Sequence, residues 1–320
     1  MNGWAIEVKA GTLRRLCGLV FLALMAEPVA HCRAAPPAPT IRSLNLCTDQ
    51  LVLELLGSPG ETGAPQALAR AQILGLTPLV QRCTESAFCR EAGSNMHAPL
   101  PSQLPTPESL ILERPDVILD GPWGHEGLER LVRRALSHEG KGNFVFHRLR
   151  PPETLEGVAD QLERLGETLG VASLARERAQ AYRQALGGLI AQPPDKPPHR
   201  PLTAVVLEQE PSAFTLALVR QAGFRPVGLS GAPETEAGME ALLRRPPDLL
   251  VLPVLGEGAS LSEAAPQRLV LLLQGRQGEG HGGVAVLRLP QRLLLCPTTR
   301  SLEALRKLIA MRHRLSASPP

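Results

Sequence analysis

Glu108-Ser109-Leu110-Ile111-Leu112-Glu113-Arg114-Pro115-Asp116 runs into the apolar triplet Val117-Ile118-Leu119. Glu240-Ala241-Leu242-Leu243-Arg244-Arg245-Pro246-Pro247-Asp248 runs into Leu249-Leu250-Val251-Leu252. Each stretch reads as a glutamate, an apolar helical turn, a proline break, an aspartate and a buried strand. Recurrence of the whole pattern, and not merely of composition, predicts two lobes built alike.

The flanking sequence extends each lobe. Before the first stretch, Ile41–Asn45 reads as a short strand. Thr48–Leu56 follows with apolar Leu51, Val52, Leu55 and Leu56 at helical spacing, Thr48 as N-cap and Asp49 in the positive first turn. After it come an amphipathic helix at Leu128–Leu136 and a strand at Phe144–Phe146. Around the second stretch lie a strand at Ala204–Leu207, a helix at Phe214–Gln221, strands at Val284–Leu287 and Leu293–Cys296, and a helix from Leu302 to Met311. Apolar strands alternating with helices predict an α/β fold with mainly parallel sheets. The middle is helical: Leu155, Val158, Leu162, Leu165 and Leu169, an interruption at Gly170, then Val171–Ile190 up to the breaker Gln192–Pro198.

The first residues read as an address. Lys9, Arg14 and Arg15 precede the apolar run Leu16–Met25, and small residues follow at Ala34 and Ala35. That is the secretory signal pattern, too short to span a bilayer, with cleavage after Ala34 or Ala35. Export places Cys47, Cys83, Cys89 and Cys296 in an oxidising compartment. Cys83 and Cys89 suit a local disulfide, although four cysteines allow three connectivities.

Of the 320 residues, 34 are Lys or Arg and 31 Asp or Glu, a net charge of +3. That balance, without a basic run, speaks against nucleic acid. Aromatic residues make up only 3%, which disfavours a base-stacking surface. Gly278–Gly283 matches G-x-G-x-x-G, but a strand and not a helix follows, so it reads as a loop. His97 and His125 are isolated, with no metal-ligand spacing, and no metal site is expected. Cys47, at a strand–helix turn, is the best nucleophile for a secreted cysteine enzyme, yet no base accompanies it. No catalytic residue and no resident cofactor are expected.

Ser43-Leu44-Asn45-Leu46-Cys47-Thr48-Asp49-Gln50-Leu51, both Glu…Pro…Asp–strand stretches, and Leu293–Cys296 before a terminal helix together resemble the ABC-importer substrate-binding proteins for iron-siderophores, haem and cobalamin. The resemblance covers residues 40–312, nearly all of the chain after the signal. It implies two Rossmann-like α/β lobes joined by one long helix at about 171–192. The divisions are then a signal peptide (1–34), an N-terminal lobe (40–150), a helical connector (151–199) and a C-terminal lobe (200–315). It implies a periplasmic monomer that carries an iron chelate or a corrinoid in the interlobe cleft to an ABC permease dimer of the inner membrane. A haem or metal-ion carrier is the alternative. Glu108 and Glu240 match the family's permease-docking acidic residues. The cleft candidates are Asn45, Cys47, Thr48, Asp49, Trp123 and His125 in the N-terminal lobe, and Glu208, Phe214, Cys296 and Thr298 in the C-terminal lobe. The Gly-rich segment usual after the first C-lobe strand is shortened here to Glu208–Ser212, so the ligand does not carry over.

Overall fold

In the computed structural model, residues 39–56, 73–82, 86–87, 106–121, 126–138, 144–191, 200–208, 210–228, 236–254 and 284–317 are described. They belong to one compact unit, Ala38–Pro320. The proposed signal lies outside them.

The first sheet contains β1 (Ile41–Ser43), β2 (Ile73–Gly75), β3 (Val117–Asp120) and β4 (Val145–Arg148), in the order β2-β1-β3-β4 and all parallel. The second contains β5 (Thr203–Val206), β6 (Arg225–Pro226), β7 (Leu249–Val254) and β8 (Ala285–Pro290), in the order β6-β5-β7-β8, again parallel. Identical strand order makes the two lobes repeats of one another, as expected for the two-lobed α/β class.

In chain order the helices are α1 (Leu46–Leu56), α2 (Pro107–Glu113), α3 (Glu126–His138), α4 (Glu156–Thr168), α5 (Ala172–Ile190), α6 (Ala213–Gln221), α7 (Glu236–Arg244) and α8 (Ser301–Ala317). Helices α4 and α5 form a hairpin between the two sheets. It turns at Gly170, whose φ of 73° is the left-handed conformation that glycine adopts without strain. Both helices feed both cores. Leu162, Leu165 and Ala175 pack with α1 of the N-terminal lobe. Val158, Ala159, Tyr182 and Leu186 pack with the C-terminal lobe. The buried Tyr182 hydroxyl donates to the Leu155 carbonyl at 2.9 Å, tying one helix to the entrance of the other.

The duplication extends to individual bonds. Asp116 precedes β3, and its Oδ2 accepts from the N–H and the hydroxyl of Thr40, both at 2.8 Å. Asp248 precedes β7 and accepts from the N–H and hydroxyl of Thr203 at 2.7 and 2.9 Å. Each aspartate thus clamps the start of the strand beside it, and Asp248 also takes a bidentate pair from Arg200. The repeated Pro–Asp therefore serves a backbone purpose: it ends a helix and fixes strand register.

Three expectations are corrected. Leu293–Cys296 is not a strand. A 3-10 turn at Gln291–Leu293 begins a crossing segment, with Leu293 and Leu294 in the C-lobe core and Cys296 in the N-lobe core. Helix α1 starts at Leu46, so Asn45 caps it, its Oδ1 accepting from Cys47 N–H at 2.8 Å. Thr48 lies inside the helix, its hydroxyl donating to the Asn45 carbonyl at 2.7 Å. The last N-lobe strand is Val145–Arg148. Short edge strands β2 and β6 were not foreseen, because two or three residues carry no readable period.

Candidate functional site

The β1–α1 junction is assembled from a strand end that becomes a capped helix start. Ser43 Oγ and Thr48 Oγ1 lie 2.7 Å apart, fully buried. Asn45 sits at the rim, half-buried. Gly121, at the end of β3, leaves room for it: a Cβ there would stand 2.2 Å from Asn45 Cγ. At the same strand end the buried Asp120 carboxylate accepts from Gly121 N–H at 2.9 Å and faces Arg148 Nε at 3.9 Å. The Arg148 side chain is exposed. Sequence reasoning missed Arg148, which lies two residues beyond the predicted strand Phe144–Phe146 and ends the observed one.

Helix α1 is buried along its whole length. Its polar side chains are therefore committed inward. Asp49 accepts from the N–H of Thr77 at 3.0 Å and from the Thr77 hydroxyl. Burial pushes its carboxyl up to about 7, against the opposing pull of those hydrogen bonds. Glu54, one helix face with Cys47, accepts from Thr299 N–H at 3.2 Å. Burial pushes it up to about 7 as well, with Arg178 and Arg300 opposing. Cys47 is bonded to Cys296, with Cα atoms 5.1 Å apart and 249 residues between them in sequence. The bond and the Glu54–Thr299 contact staple α1 to the segment that leads into α8.

These contacts decide which expected site residues remain available. Asn45 and Glu208 are part-exposed, and burial raises the Glu208 carboxyl above its ordinary value. Cys47, Thr48, Asp49, Phe214, Cys296 and Thr298 are buried, where the expectation had them lining the cleft. Phe214 belongs to the C-lobe core. The Thr298 carbonyl accepts from Ser301 N–H at the start of α8. Trp123, His125, His97, Gly278–Gly283 and the Cys83–Cys89 pair lie outside the described residues. Among the described residues no group of three His, Cys, Asp or Glu is placed to hold a metal. The Cys47 thiol, the nucleophile of the enzyme alternative, is consumed by the disulfide.

Glu108 and Glu240 hold matching places. Each stands the same number of residues before the clamp aspartate of its lobe. Glu108 is fully exposed on the first turn of α2, where its own N–H and the Thr106 hydroxyl lower its carboxyl pKa. Glu240 is exposed and ion-paired to Arg244 at 2.5 Å.

Two repeated four-stranded parallel sheets in 2-1-3-4 order, bridged by a helical hairpin, have known counterparts. The fold is that of periplasmic binding proteins. The periplasmic vitamin B12-binding protein BtuF of Vibrio cholerae is 17% identical over 88% of this chain and 99% of its own, with a TM-score of 0.55. The periplasmic haem-binding protein BhuT, solved with two haems, is 16% identical over 87% and 99%, with a TM-score of 0.58. The haem-binding protein HutB of Vibrio cholerae is 14% identical over 86% and 99%, with a TM-score of 0.56. At these identities the likeness is one of fold. No protein-family model matches the chain, and no curated protein sequence matches it.

Proposed function

We propose that this protein is a periplasmic substrate-binding protein that delivers an iron chelate or a corrinoid to an ABC importer. The observation that carries the reading is the architecture: duplicated 2-1-3-4 lobes on a helical strut, shared over nearly the full length with proteins that bind vitamin B12 and haem. Open α/β sheets bind ligands beyond the carboxyl ends of their strands. Asn45 follows β1 and Glu208 follows β5, so the equivalent strand end of each lobe offers a polar, part-exposed side chain. Trp123 and His125 are further ligand candidates in this reading. A haem carrier is the second reading, favoured by the haem-binding neighbours.

Residues 1–34 are the export signal, and the buried Cys47–Cys296 bond suits an oxidising destination. Glu108 and Glu240 dock the lobes on the permease dimer, one lobe to each half. The mature protein acts as a monomer, with no enzymatic step. The test is an absorbance spectrum of protein purified from periplasm, followed by titration of the stripped protein with haemin, cyanocobalamin and a ferric hydroxamate. Saturable binding of a corrinoid or ferric chelate supports the proposal, and a Soret band with haemin alone selects the haem reading. Binding of none, together with iodoacetamide-sensitive turnover, overturns transport.

A further inference from the structure

The clamp aspartates align the two lobes residue by residue. Matching Asp116 with Asp248 pairs buried Pro115 with buried Pro247, and buried Leu110 with buried Leu242, without a gap. The same alignment pairs Glu108 with Glu240 and Leu112 with Arg244. The two lobes therefore present equivalent helical turns with different chemistry. On α2, Glu108 is fully exposed and no cation among the described residues pairs with it. One turn on, Leu112 is 81% exposed, the most exposed large apolar side chain among the described residues. On α7, Glu240 is already paired with Arg244, at 2.5 Å.

We propose that docking on the permease is unequal: Glu108 and Leu112 form the dominant contact, and the Glu240–Arg244 pair attenuates the C-lobe contact. The inference rests on the transport reading above and commits to one partner, a membrane protein with a cationic side chain beside an apolar one on its periplasmic face. A free carboxylate next to an exposed leucine offers such a partner both charge and apolar burial, the combination found at interface hot spots. A carboxylate that already holds its own arginine through one oxygen has fewer open acceptor positions for a foreign cation. Arg244 also sets a like charge against that cation. The two halves of a symmetric permease thus meet unequal faces, and the N-terminal lobe governs capture.

The experiment measures binding of the fluorescently labelled mature protein to right-side-out inner-membrane vesicles of the source bacterium, with protease-shaved vesicles as control. All four positions tested are exposed, and circular dichroism checks each variant's fold. Glu108→Gln and Leu112→Arg should each weaken saturable binding about tenfold, and Glu240→Gln about threefold or less. Arg244→Leu should strengthen it about threefold, because it frees Glu240 and adds an apolar contact. Equal losses for Glu108→Gln and Glu240→Gln, or weaker binding by Arg244→Leu, overturn the inequality while leaving the transport reading intact. No saturable, protease-sensitive binding by the unmodified protein overturns the transport reading, and the inference with it.

Discussion

Replacing Cys47 and Cys296 together with alanine should lower stability by several kcal/mol without preventing folding. The bond joins residues 249 apart. Loop-closure entropy for that length is about 5 kcal/mol at 25 °C, the top of the usual range. A compact unfolded state reduces the figure, so about 3–5 kcal/mol is expected. Alanine is the right replacement because both sulfurs are buried, and serine would add an unmatched hydroxyl. The double variant should still fold, since Glu54–Thr299 and the packing of Leu295 on the N-lobe core hold the crossing segment in place. Each single variant should cost about as much as the double, because either substitution removes the same bond. Protein produced in a reducing cytosol should behave like the double variant. The assay is equilibrium unfolding in guanidinium chloride, paired with a non-reducing peptide map of the unmodified protein. A map joining Cys47 or Cys296 to Cys83 or Cys89 would refute the reasoning. So would a double variant within about 1 kcal/mol of the unmodified protein, a difference far below the loop term.

Acidity should stabilise this protein between neutrality and about pH 5. Asp49 and Glu54 titrate near 7 when folded, against 3.8 and 4.5 unfolded, so the native state binds more protons in that window and stability falls as pH rises through it. Each group contributes on the order of 3 kcal/mol, and Glu54→Gln should flatten the slope in unfolding series run from pH 5 to 8. Asp248→Ala should cost about 2–3 kcal/mol by thermal or denaturant unfolding, more than Asp116→Ala, because it also loses the bidentate Arg200 pair. Equal costs would mean that the arginine adds nothing. Gly121→Ala should push Asn45 aside and uncap α1, lowering stability by about 1–2 kcal/mol and weakening ligand binding in the same titration. Unchanged affinity would remove Asn45 from the proposed cleft.

Much of the fold was legible because burial of an apolar face leaves a periodic trace. The helix–break–strand pattern at 108–119 and again at 240–252 was enough to predict paired lobes, and Leu155–Leu169 with Val171–Ile190 marked the strut. Local errors came where two good local solutions compete. Asn45 and Thr48 both make sound N-caps, and only the helix start at Leu46 separates them. Leu293–Cys296 has the composition of a strand, but its residues pack in two different cores, and that requires a turn.

The candidate site was less legible. The spacing of Leu51, Val52, Leu55 and Leu56 indicates one buried face of α1 and gives no sign that Asp49 and Glu54 are buried too. In the fold, Thr77 lies over one and Thr299 over the other, so the helix is buried on every side. The alternation of strands and helices, and its duplication, was set by the sequence alone, because secondary structure and amphipathicity depend on neighbours a few residues apart. The pairing of Cys47 with Cys296 and the burial of the acidic side chains of α1 were decided by tertiary structure. Each depends on which distant segment comes to lie against it, or on whether any does, and no local spacing records that distance.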